Sequence, residues 1–166
     1  MRVIPTLLIY LHHCITSVLA LDELMDKIVN LQPVNFPSRL MRHRNHELWI
    51  DESENSDLFV KDSSFRIVRG LSGKGISFQS INFPDHYIRH FNFKVYLNKN
   101  DNSDLFKLDA SFNPRREEKS FSFQSVNFPD HFIRHYRFRV IMSENDGSDQ
   151  FNKDASWNII SKLIDF

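Results

Sequence analysis

Cysteine is almost missing: Cys14 is the one thiol in 166 residues, and it lies in an apolar N-terminal segment. A chain without that segment has neither disulfides nor thiol chemistry, so its stability must come from its core. Glycine is also scarce, at 4 residues, which excludes a collagen-like or low-complexity chain. Neither sign of charge is in excess, with 21 basic and 21 acidic side chains. A formal net charge of zero removes the electrostatic footprint of a nucleic-acid binder and gives no reason to expect an anionic membrane as partner. No Asn-x-Ser/Thr acceptor occurs, nor a G-x-S-x-G elbow, nor a Gly-rich phosphate loop. What is present is apolar: 41% hydrophobic residues, including 16 Phe, enough for one domain with a core of its own.

The first twenty residues differ from the rest. Met1-Arg2 is a short basic start, the run Val3 to Ala20 is apolar, and Val18-Leu19-Ala20 places small residues just ahead of Asp22-Glu23. That order predicts a cleaved signal peptide over 1–20 and an extracellular protein. His12 and His13 interrupt the run, leaving a helix packed on the domain as the competing reading, and the interruption makes a membrane anchor the poorer choice. Residues 21–28 then form an N-terminal segment ahead of the domain proper.

One pattern recurs three times. Asn35-Phe36-Pro37, Asn82-Phe83-Pro84 and Asn127-Phe128-Pro129 are followed in order by Arg42-His43, Arg89-His90 and Arg134-His135, then by Asp62, Asp109 and Asp154. The distance from Asn to Asp is the same in every copy, and the length differences fall at the joints. Such spacing means one supersecondary unit used three times, over about residues 29–75, 76–120 and 121–166.

Within a unit, alternating residues such as Ile76 and Phe78, or Phe121 and Phe123, predict a half-buried strand. Asn-Phe-Pro breaks that ladder, because Pro cannot donate. A short strand around the Arg-His pair follows, and then a third in which Phe93, Val95 and Leu97 match Phe138, Val140 and Met142; the first copy has His46, Leu48 and Ile50. Polar loops Glu52 to Asp57, Lys99 to Asp104 and Glu144 to Asp149 lead to Phe59, Phe106 and Phe151, and a fourth strand carries Phe65, Phe112 or Trp157 inward. No long window after the N-terminal segment has helical periodicity. Four strands in each of three units predict an all-β β-trefoil, whose closure leaves no free sheet edge. A three-bladed propeller uses the same strand count, but propellers usually need more blades.

The repeated His and Asp suit a neutral polyol. A carboxylate accepts hydroxyl hydrogen bonds, an imidazole donates or accepts another, and a neighbouring aromatic (Phe91 or Tyr136) can lie against the apolar face of a sugar. Arg44 takes that place in the first copy. A structural reading stands beside this one: an Asp ahead of a strand caps turns, Arg-Asp pairs staple units, and the Phe of Asn-Phe-Pro is expected in the core. Metal chemistry fits poorly. His86 and His90, like His131 and His135, would lie ~13 Å apart on an extended strand, and the first copy has Arg39 instead. The loop Ser143–Gly147 resembles a calcium loop, but counting from Gly147 puts Met142 and Lys153 at ligand positions. No cofactor is expected. Glycosidase chemistry needs two carboxylates in one cleft, whereas here single Asp residues are distributed one to a unit.

The string Phe123-Gln124-Ser125-Val126-Asn127-Phe128-Pro129, then Ile133-Arg134-His135, Glu144 to Asp149 and Lys153-Asp154-Ala155-Ser156-Trp157, closely resembles the arabinose-binding AbfB domain. That domain is the β-trefoil carbohydrate-binding module (carbohydrate-binding module family 42) at the C-terminus of fungal and bacterial α-L-arabinofuranosidases. The resemblance covers about residues 29–166. It implies binding of arabinofuranose side chains on arabinoxylan or arabinan, with His43 and Asp62, His90 and Asp109, and His135 and Asp154 holding sugar hydroxyls, and with Phe91 and Tyr136 lining the pockets. The family usually has Gly after Asn-Phe-Pro, where this chain has Ser38, Asp85 and Asp130. Pro33 replaces Ser80 and Ser125, and Pro114 replaces Ile67 and Ile159. The first unit, with Arg44 and His46, is the least typical. Three functions follow as expectations: a secreted binding module with no catalysis of its own, for which an arabinose-substituted polysaccharide is the partner; an arabinofuranosidase-related activity in L-arabinose metabolism, as in the longer relatives; or a trefoil that has lost its sugar and binds a protein partner.

Overall fold

The computed structural model describes residues 22–161. The expected signal peptide and the extreme C-terminus lie outside them. Among the described residues, twelve strands and three six-residue helices follow one another in an order that recurs three times. The first set is β1 (Ile28–Pro33), β2 (Arg39–Arg44), β3 (Glu47–Glu52), α1 (Asp57–Asp62) and β4 (Phe65–Arg69). The second is β5 (Ile76–Ser80), β6 (His86–Phe91), β7 (Lys94–Lys99), α2 (Asp104–Asp109) and β8 (Phe112–Arg116). The third is β9 (Phe121–Ser125), β10 (His131–Tyr136), β11 (Arg139–Glu144), α3 (Asp149–Asp154) and β12 (Trp157–Ser161).

Antiparallel pairing runs β1 to β4, β4 to β5, β5 to β8, β8 to β9, β9 to β12 and back to β1, a closed ring of six strands. Hairpins β2–β3, β6–β7 and β10–β11 cap one end, where β3, β7 and β11 touch pairwise. Side chains of period two point into this closed body, among them Leu31, Ile67, Phe78, Ile88, Phe112, Phe123, Ile133 and Trp157, all at 0% exposure. Burying each such aliphatic or Phe side chain contributes about 1.5–3 kcal/mol, so with no disulfide the apolar core is the main source of stability.

Two prolines are accommodated differently. Pro33 stays in register opposite Trp157. Pro114 pairs with Phe123 on one side, but on the other β8 meets β5 at the single pair Ile76–Phe112. Its counterpart Ile67 donates from its backbone N–H to Lys27 at 2.9 Å, a bond Pro114 cannot make. Gly75 allows the close approach there: a Cβ on it would lie 2.1 Å from the Phe112 carbonyl, and its φ is +62°.

Two expectations need correction. The polar loops end in six-residue helices, too short to leave a periodic trace, each started by a serine (Ser56, Ser103, Ser148) whose Oγ accepts the N–H three residues on. And His46, Phe93 and Phe138 do not begin strands. They occupy the second place of two-residue hairpin turns, with Asn45-His46, Asn92-Phe93 and Arg137-Phe138 all at positive φ. Two consecutive positive φ values are the signature of a type I′ turn, whose twist matches its strands. Ser38, Asp85 and Asp130 are not among the positive-φ residues, so no glycine is required after Asn-Phe-Pro.

Candidate functional site

Each Arg-His pair sits on the first strand of a capping hairpin, where alternation buries the His and leaves the Arg part-buried. Each Asp is the last residue of the following helix, buried to within 5%. The fold thus brings together residues that stand apart in sequence. Arg42, Arg89 and Arg134 donate to the Oδ2 of Asp62, Asp109 and Asp154 at 2.5, 2.7 and 2.7 Å. His43, His90 and His135 approach the Oδ1 of the same carboxylates at 3.4, 3.6 and 3.5 Å.

The group that joins them is the asparagine of the next unit. Asn82 donates from Nδ2 to Asp62 at 2.8 Å, Asn127 to Asp109 at 2.8 Å, and Asn35 to Asp154 at 2.9 Å. Their Oδ1 atoms therefore face the imidazoles, 3.0, 3.0 and 2.9 Å from the Nε2 of His43, His90 and His135. Burial lowers the pKa of all three histidines, outweighing the neighbouring carboxylate that acts in the opposite sense. A neutral ring that donates from Nε2 leaves Nδ1 as an acceptor. Every pocket is then a chain of Arg, carboxylate, carboxamide and neutral imidazole, shared between two units. The last one closes across the termini, since Asn35 and Asp154 come from opposite ends of the chain.

Aromatic rings form the rim. Phe36, Phe83 and Phe128 were expected in the core, but they are 37%, 40% and 41% exposed and stand edge-on to His135, His43 and His90 at 5.3–5.6 Å. Each follows directly on the Asn that reaches across the joint to the carboxylate of the preceding unit. The turn residues pack beside them: His46 near Phe83, Phe93 on Phe128, and Phe138 on Phe36. Tyr136 borders the third pocket, a cavity of about 290 Å³ lined also by Phe36, Arg134, His135, Arg137, Phe138, Gln150 and Asp154. Phe91 is exposed beside Arg89. Arg44 does not replace it in the first unit, because its guanidinium lies 4.1 Å over Trp49 and pairs with Asp51. Arg42 Nε is also buried without a partner among the described residues, whereas Arg89 and Arg134 bond a backbone carbonyl there.

A larger depression of about 1120 Å³ lies between the β8–β9 turn and α3. Its arginines are engaged, Arg115 by Gln124 and Arg116 by Glu23, and it contains none of the His-Asp pairs. Among the described residues no group of three or more His, Cys, Asp or Glu is placed to hold a metal ion. His86 instead stacks on His46, and His131 on Phe93.

With this geometry in view, a family model described as the alpha-L-arabinofuranosidase B (ABFB) domain matches residues 22–67 and 56–159. The chain belongs to the AbfB domain family. Solved structures agree: an arabinofuranosidase complexed with arabinofuranosyl-alpha-1,2-xylobiose is similar at 28% identity and a TM-score of 0.77, over 82% of this chain. A GH54 arabinofuranosidase soaked with a cyclic sulfate inhibitor matches at 28% identity and 0.76, over 81%. This AbfB domain spans 31% of the length of each of those enzymes. The fold alone is shared with a protein called BEL beta-trefoil, at 13% identity and a TM-score of 0.61 over 83% of this chain and 94% of that one. No curated protein sequence matches.

The sequence points to a His and an Asp in each copy, and to a flanking aromatic in the second and third, but leaves out Asn35, Asn82 and Asn127. Their signal is present, as the first fixed point of every repeat, but in sequence terms Asn-Phe-Pro accounts for itself as a strand breaker. Ser80 and Ser125, which donate to the Asn Oδ1 at 2.8 and 2.9 Å, and Gln150 were missed as well.

Proposed function

We propose that this AbfB domain is a secreted, non-catalytic carbohydrate-binding module, a β-trefoil of three pseudo-symmetric four-strand units that recognises α-L-arabinofuranosyl side chains of arabinoxylan or arabinan. The observation that carries this reading is the thrice-built network of Arg-held carboxylate, carboxamide and neutral imidazole beside an exposed aromatic edge. Such a pocket offers acceptors to sugar hydroxyls and an apolar wall to the ring carbons, without a net charge that water would have to be stripped from. Family membership and the arabinofuranosyl-xylobiose complex of a similar enzyme support the choice of sugar. Each pocket carries one carboxylate rather than the pair that glycoside hydrolysis needs. Secretion rests on the apolar run Val3 to Ala20.

Single pockets with a few polar contacts bind weakly, with Kd around 1 mM, or about −4 kcal/mol. Several pockets on one rigid body raise apparent affinity for a branched polymer. The test is an NMR titration of the purified chain with arabinofuranosyl-xylobiose, alongside Asp109→Asn, which keeps shape but removes the charge. Saturable shifts at the His90 and Phe91 resonances, lost in that variant, are expected. A folded protein whose spectrum ignores the sugar would refute the binding reading. Release of nitrophenol from 4-nitrophenyl arabinofuranoside would refute the non-catalytic part.

A further inference from the structure

The three pockets are not chemically equal, and the difference lies on the second residue of each helix. That residue is Leu58 in α1, Leu105 in α2 and Gln150 in α3, all exposed. Gln150 turns back onto its own pocket and donates from Nε2 to Asp154 Oδ1 at 2.9 Å. The same oxygen already accepts Asn35 Nδ2 at 2.9 Å, while Oδ2 accepts Arg134 at 2.7 Å. Among the described residues, Asp62 and Asp109 accept hydrogen bonds from their Arg and Asn but from no helix side chain, because a leucine has nothing to donate. A carboxylate has about four acceptor positions. By that count, the second pocket keeps an Oδ1 acceptor open to an incoming hydroxyl, and the third has it filled by its own chain. The serine that steadies the carboxamide of Asn82 and Asn127 is also missing in the third pocket, where Pro33 stands in its place.

We propose that Gln150 is a specificity-determining residue that caps the third pocket: its amide occupies the carboxylate position that a ligand hydroxyl takes at Asp109, so the third pocket is the weaker of the two. This rests on the sugar-binding reading above. Binding at the third pocket exchanges one hydrogen bond to a carboxylate for another, whereas binding at the second adds one. Exposure of Gln150 lets its side chain swing out to solvent, so the cap is displaced at high ligand concentration rather than closing the pocket outright.

The experiment is a reciprocal swap, read pocket by pocket in NMR titrations with arabinofuranosyl-xylobiose. Gln150→Leu installs the residue that the other two helices carry, on an exposed surface, so folding is retained. It is expected to lower Kd at the His135 resonances about tenfold, the low end of the value of one hydrogen bond to a charged group, and to leave the His90 resonances unchanged. Leu105→Gln is expected to raise Kd at the His90 resonances by a similar factor. In the unaltered protein, the Gln150 side-chain amide signal should move toward its free position as the third pocket fills. An unchanged or higher Kd at the third pocket in Gln150→Leu overturns the proposal while leaving the sugar-binding reading intact. Absence of sugar-induced shifts at every pocket of the unaltered protein overturns that reading, and this inference with it.

Discussion

Burial outweighs the carboxylate beside each pocket imidazole, and this sets how the site responds to acid. His43, His90 and His135 have folded pKa values lowered beneath the ordinary 6.5, with desolvation as the leading cause. As pH falls through about 6.5 the unfolded chain takes up these protons first. Their contribution to stability is therefore complete above that pH and lost as pH falls toward the lowered folded values. Urea midpoints measured from pH 7.5 to pH 5 should decline, and His90→Asn, which removes one of the three groups, should decline less steeply. A variant with an unchanged slope would mean that the imidazole is not held neutral. The Arg-Asp pairs beside them are positioning devices more than sources of stability, since desolvation cancels much of the gain from a buried ion pair.

At the scale of the hairpin, the type I′ turns place large residues where the backbone favours Asn-Gly. Asn45 and Asn92 suit the first position, but Arg137 holds φ +48° there with an exposed side chain. Arg137→Asn should stabilise the protein by about 0.5–1 kcal/mol, measured as a rise in urea midpoint, because asparagine tolerates the left-handed region better. A loss of stability would show that the Arg137 contact with the Tyr136 ring outweighs the backbone term. Phe93 and Phe138 stay in this conformation because each ring is packed on the next unit, against His131 and Phe128 or against Arg39 and Phe36. The strain is local, and what it supports is the pocket rim. Sequence alternation placed these residues on strands because period two continues through the turn without a break.

For the whole molecule, the pockets belong to the joints between units rather than to the units. Asn35 completes a site whose Asp lies 119 positions away, across the β1–β12 pairing that closes the ring. Asn35→Ala should therefore disturb the His135, Tyr136 and Asp154 resonances and abolish ligand shifts there, leaving those of His90 in place. Disturbance of all three pockets alike would mean that the asparagine secures the fold rather than one site. Pairing each unit with its successor also explains why one unit alone does not make a site: it has the His and the Asp but not the carboxamide that links them.

The sequence alone determined the repeat, the alternating strands, the all-apolar dependence of stability, the His and Asp of each copy, and the flanking aromatic of the second and third. These are local or periodic properties, written in residue type and spacing. Tertiary structure decided the rest. It put the asparagine of one unit into the pocket of the one before, drew Phe36, Phe83 and Phe128 out of the core to the rim, and turned Gln150 but not Leu105 onto a carboxylate. The first two outcomes depend on contacts between residues 18 to 119 positions apart, which only closure of the six-stranded ring brings within hydrogen-bonding distance, whereas Gln150 reaches Asp154 within one helix, four positions on.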